Sequence, residues 1–134
     1  MRPTLCVLLV MAATACGPRE LHITMNSDNN SGQIGFAVLF DLGAKMRVTI
    51  ETRAPDFTSP QHAHIHVGNC GEVGEKRGFL KDLIALDDKP GRVGSTTDLD
   101  SMTFKTLATG EWILNVHDAR ENDVYVSCGE IPTP

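Results

Sequence analysis

The segment Gln61-His62-Ala63-His64-Ile65-His66-Val67-Gly68 sets three imidazoles at alternate positions. On a β-strand, alternate side chains leave the same face, so His62, His64 and His66 share one side while Ala63, Ile65 and Val67 take the other. Cα atoms two residues apart on a strand are about 6.6 Å from each other. Two imidazoles can lean inward across that gap and meet one ion through bonds of about 2 Å. Three in a row would strain the outer pair, so two of them are expected to share an ion and the third to be peripheral or a weak extra ligand. Neutral imidazole suits copper and zinc, and copper(II) is held more tightly at a given nitrogen site. Plainer readings are a strand's polar face and hydrogen-bonded surface histidines.

A further ligand has to come from another strand, and Trp112-Ile113-Leu114-Asn115-Val116-His117 offers one. Trp112, Leu114 and Val116 make an apolar face, with Asn115 and His117 opposite. A histidine ending so apolar a strand needs a partner if it is buried. Asn115, Asp118 and Gln61 are the candidates for fixing ring tautomers from behind. His22 stands alone and reads as an exposed strand residue. Protons compete for the same nitrogens, so binding is expected to weaken as pH falls through the histidine range near 6.5.

Other chemistries find little support. The chain has 134 residues and a net charge of −5, from 12 basic and 17 acidic side chains, with no basic cluster to serve a nucleic acid. Aromatics at 5% leave no platform for stacking bases. A phosphate-binding glycine loop and a nucleophile elbow are both missing from the sequence. Ser101 and Ser127 lack the setting of a nucleophile. Asp87, Asp88, Asp98 and Asp100 read as solvated charge rather than a calcium loop. Met25, Met46 and Met102 are scattered, and Met46 alternates with apolar neighbours as core residues do. No apolar run approaches the ~18 residues of a membrane-spanning helix.

The elements that must carry the histidines read as short antiparallel strands. Leu21, Ile23 and Met25 alternate with His22 and Thr24, and residues 26–32 (NSDNNSG) form a turn. Residues 33–41 read as a mostly buried strand, and 46–52 as a strand with Met46, Val48 and Ile50 on one face. Residues 53–60 form a loop with two prolines, and 61–67 the histidine strand. Residues 68–94 hold six glycines and one proline, and only 79–86 there reads as ordered. Residues 98–107 suit a short helix or turn; 111–117 and 124–131 are the last strands. The expectation is an all-β sandwich or flattened barrel in a single domain.

Residues 1–16 (MRPTLCVLLVMAATAC) have a positive start, an apolar run, three small residues and then Cys16. This resembles a bacterial lipoprotein signal, which implies cleavage after residue 15, a lipid on Cys16 and a mature domain over 16–134. An ordinary secretory signal cut nearby is the alternative. Either reading sends the protein out of the cytosol, and the expected destination is the bacterial cell envelope. With a lipid it would be anchored facing the periplasm, and Gly17 after Cys16 favours the outer membrane. Cys6 then leaves with the signal, and Cys70 and Cys128 remain as an even pair in an oxidising compartment. A bridge closing the 58-residue separation is worth roughly 4 kcal/mol by loop entropy; two free buried thiols are the alternative.

His64-Ile65-His66, Gly68 and Cys70, then Asn115-Val116-His117, then Ser127-Cys128-Gly129-Glu130-Ile131 are similar in type and order to Cu/Zn superoxide dismutases. The resemblance implies an eight-stranded Greek-key β-sandwich, copper on His64, His66 and His117, and a Cys70–Cys128 disulfide. Ala63-His64-Ile65-His66-Val67-Gly68 equally resembles CHRD-type domains, which have no established enzyme chemistry. Residues 71–116 contain no histidine, so the dismutases' zinc ligands and bridging histidine are absent, and Tyr125 stands where they carry a guiding arginine. Three readings follow: an exported copper-binding lipoprotein, zinc being the second candidate metal; a metal-free CHRD-like structural or interaction domain; and a copper-only dismutase. His62, His64, His66 and His117 are the candidate metal ligands, and the oligomeric state is left open.

Overall fold

The computed structural model describes residues 19–134. The predicted signal segment and Cys16 lie outside the described residues. Nine strands and one helical turn follow in order: β1 Glu20–Ser27, β2 Ile34–Asp41, β3 Met46–Arg53, β4 Ala63–Asn69, β5 Glu72–Phe79, β6 Ile84–Ala85, β7 Arg92–Leu99, α1 Phe104–Leu107, β8 Trp112–His117 and β9 Tyr125–Ile131. All strand pairs are antiparallel, in the spatial order β5-β4-β8-β9-β1-β2-β3-β7-β6. The fold is the expected all-β flattened barrel, with nine strands instead of eight.

The curl is made at β1. Its first residues, Glu20 to Met25, pair with β2, while Asn26 and Ser27 pair with Cys128 and Ser127 of β9. One strand thus serves both halves of the sheet. Period-two alternation then turns one side of β1, β2, β3, β4 and β8 inward: Ile23, Met25, Leu39, Val48, Ile50, Ile65, Leu114 and Val116 are all buried in one core. Long crossovers lead from β3 to β4 and from β7 to β8, and β4 thereby lies beside β8.

Two strands depart from the sequence reading: β5 lies within the glycine-rich stretch 68–94, and β7 begins in its last three residues and runs on through Leu99. β5 is largely exposed and forms an end of the sheet, so it carries none of the apolar alternation that marks a strand. It also pairs with β4 through two register shifts, which its glycines accommodate. β7 turns Val93, Thr97 and Leu99 to the interior, a pattern diluted by threonine and glycine. Within residues 79–86 only Ile84–Ala85 forms a strand of its own, while Phe79 closes β5. Residues 98–107 do contain a helical turn, α1, started by a capping box between Thr103 and Thr106.

Two further ties hold the approach to β4. Gln33 and Gln61, both buried, exchange amide hydrogen bonds of 2.8 and 3.0 Å, and Gln33 also donates to Thr52 Oγ1 at 2.9 Å. Every polar atom brought inside by this amide pair is thereby offered a partner. At the other end of β4, Cys70 is bonded to Cys128 of β9, with the Cα atoms 6.0 Å apart.

Candidate metal site

Ala63 and Ile65 of β4 are fully buried in the core, so His64 and His66 leave the strand on the opposite face. In β8, Leu114 and Val116 enter the core, and Ile113, Asn115 and His117 therefore share the histidines' side. The β4–β8 register sets His64 opposite Asn115 and His66 opposite Ile113. The backbone N–H of His117 donates to the carbonyl of His62 at 2.8 Å, which fixes where the fourth ring enters. The site thus stands on the outside of the barrel wall.

Three of the four candidate histidines come together. Ligand nitrogens of His64, His66 and His117 all lie within 4.8 Å of one another. One ion with bonds of about 2.0–2.1 Å spans nitrogens up to about 4.2 Å apart, so a small inward turn of the rings suffices. His66 and His117 are buried and His64 is half-buried. His62 is exposed and stands apart, its Nδ1 2.7 Å from a carboxylate oxygen of Asp82. His22 is exposed on β1, 2.8 Å from Glu20.

Tautomers follow from the hydrogen bonds. His66 donates its Nδ1–H to the Gly74 carbonyl at 3.0 Å, so its Nε2 carries the lone pair; that nitrogen is buried without a partner. His117 donates Nδ1–H to the Asn122 carbonyl, which leaves its Nε2 as acceptor. The hydrogen on His64 Nδ1 then points to His117 Nε2, 2.9 Å away. An ion among the three would require the His64 proton to move to Nε2, freeing a third lone pair.

The groups that fix the rings of His66 and His117 are backbone carbonyls, not the side chains expected from sequence. Asp118 holds Arg120, and Gln61 pairs with Gln33. Asn115 is fully buried, and neither atom of its amide has a partner. Backbone acceptors leave no mark in composition, although the glycine at 74 was a signal. A Cβ on Gly74 would sit 2.7 Å from the Val67 carbonyl oxygen, so only glycine lets this backbone come so close.

Burial dominates the electrostatics. It pushes His64 down from 6.5 to about 4, reinforced by positive charge on His117 and then on Lys76 of β5. His66 and His117 are also lowered, first by burial, with their carbonyl partners opposing the shift. The three rings are therefore neutral at pH 7, the state that binds metals. Rings complete the surroundings: Tyr125 packs edge-on against His117 at 4.9 Å and against His66 at 6.0 Å, and the exposed Phe79 packs against His64 at 5.2 Å. Neither contact was legible from spacing.

No curated protein matches this chain in comparison. The CHRD domain family matches residues 11–125, a span that takes in all three clustered histidines. The chain belongs to the CHRD domain family.

Proposed function

We propose that this CHRD-domain protein holds one copper ion on His64, His66 and His117. The observation that carries the reading is the buried, unpartnered Nε2 of His66, set among two other neutral imidazoles. A buried polar atom without a partner is costly to keep, and a metal ion would engage it. Three neutral nitrogens suit copper and zinc, and the general affinity order favours copper(II). When bound, copper would supply one-electron redox chemistry; the chain's part is to hold and orient three lone pairs. The test is calorimetry on tag-free protein titrated with Cu(II) and with Zn(II). Sub-micromolar one-to-one binding, lost in both His66→Ala and His117→Ala, is expected. No saturable binding at about 100 μM would dispose of the proposal.

The metal-free reading of a CHRD-like structural or interaction domain has two observations in its favour: the CHRD family match, and the His64–His117 hydrogen bond, which satisfies two of the three rings without an ion. The same titration separates the two. Dismutase activity is a weaker reading, because Tyr125 supplies no cation and the chain is negative overall, which gives superoxide no steering field. Superoxide removal no faster than that of a copper–peptide control is the expected result.

The proposed setting is the cell envelope, with the domain tethered by lipid on Cys16. Support comes from the sequence of residues 1–16 and from the bridge between Cys70 and Cys128, which suits an oxidising compartment. Cys16→Ala is expected to move the protein from the membrane fraction to the soluble fraction; continued membrane attachment would refute the tether.

A further inference from the structure

Asn115 is the most anomalous residue of the site. It is completely buried, yet neither its amide oxygen nor its amide nitrogen meets a partner. Its place in the sheet is specific. It lies opposite His64 on β4 and opposite Cys128 on β9, two residues before His117 on the same face of β8. His66, paired with Ile113, is its diagonal neighbour. Directly opposed residues have Cβ atoms about 5 Å apart, and diagonal ones roughly 7–8 Å. Asn115 therefore shares the histidines' face of the sheet, next to His64 across β4–β8 and two residues from His117 along β8. A leucine there would keep the branched shape, at a larger volume, without burying an unsatisfied amide.

We propose that the Asn115 side-chain amide is a fourth polar contact of the ion site, its oxygen facing the cation as a neutral donor. This rests on the reading of the three histidines as metal ligands. The amide oxygen is a harder donor than imidazole, so it contributes more to Cu(II) or Zn(II) than to Cu(I). It adds no charge, and the site keeps the charge of its ion. The amide is kept at a cost to the metal-free fold and is repaid only when an ion is present, so fold stability and metal affinity respond to its removal with opposite signs.

The experiment compares wild type with Asn115→Leu, and with Asn115→Val should leucine not be accommodated. Melting temperature is read without metal, and affinity is read by titration with Cu(II) and Zn(II). The electron paramagnetic resonance spectrum is recorded on the Cu(II) form. The metal-free variant is expected to melt several degrees higher than wild type, to bind either ion tenfold to a hundredfold more weakly, and to show altered copper hyperfine splitting. Unchanged affinity and spectrum would overturn the proposal, whatever the melting temperature. A lower melting temperature in both the leucine and the valine variant would also overturn it, since the amide would then have a structural partner. Wild type binding neither ion would instead remove the metal reading beneath it, and the two failures are thereby told apart.

Discussion

Nδ1 of His64 lies 2.9 Å from Nε2 of His117, although 53 residues separate them in the chain. The contact exists because the chain crosses the barrel after β7 and returns as β8 beside β4. It brings two neutral nitrogens face to face in partial shelter from water, where a proton added to either is poorly solvated.

That arrangement fixes the acid response of the metal-free protein. His64 titrates at about 4 in the folded chain, for reasons of burial first, against an ordinary value of 6.5 in the unfolded one. Between those values the unfolded chain takes up a proton that the folded chain refuses. Stability is therefore complete above about pH 6.5 and declines as pH falls toward about 4. Thermal melts at pH 7.5, 5.5 and 4.5 check this: the midpoint is expected to fall across the series, and to fall less in His64→Gln. A profile equally steep in that variant would assign the loss to other groups. Proton competition for the ion is likewise expected below the range anticipated from free histidine.

Gly74→Ala tests how the His66 ring is held. The new methyl would lie 2.7 Å from the Val67 carbonyl oxygen, and the backbone must move to relieve it. The Gly74 carbonyl that accepts from His66 Nδ1 moves too. Loss of such a support weakens metal binding by tenfold to a hundredfold. Titration calorimetry reads the change, and wild-type affinity in the variant would show that the carbonyl is not needed.

Which parts of this were legible in sequence depends on where the information sits. Period-two alternation around Ile23, Val48, Ile65 and Leu114 marks strands with an inward face, and these are the core. His64, His66 and His117 stand out because a polar ring beside such residues is conspicuous. β5 could not be read in the same way: it is mostly solvated, and its role is to bring the Gly74 carbonyl and the Lys76 charge to the rings. The orphaned amide of Asn115 is a fact of three-strand register, invisible to any local pattern.

Replacing both bridge cysteines, Cys70→Ser with Cys128→Ser, removes the tie between the end of β4 and β9. Closing a loop of that length is worth about 4 kcal/mol, a large share of the 5–15 kcal/mol typical of a domain. A fall in melting temperature of about 10–20 °C is expected. A shift of only a few degrees would mean that the unfolded chain gains little freedom from the cut.

The three clustered rings stand on the side of the wall that faces away from the apolar interior, so chemistry and scaffold draw on separate sets of residues. One consequence is interchangeability: the side chains at 64, 66 and 117 could be exchanged for others, retuning or abolishing the ion uptake proposed above, while the strands that present them keep their inward face.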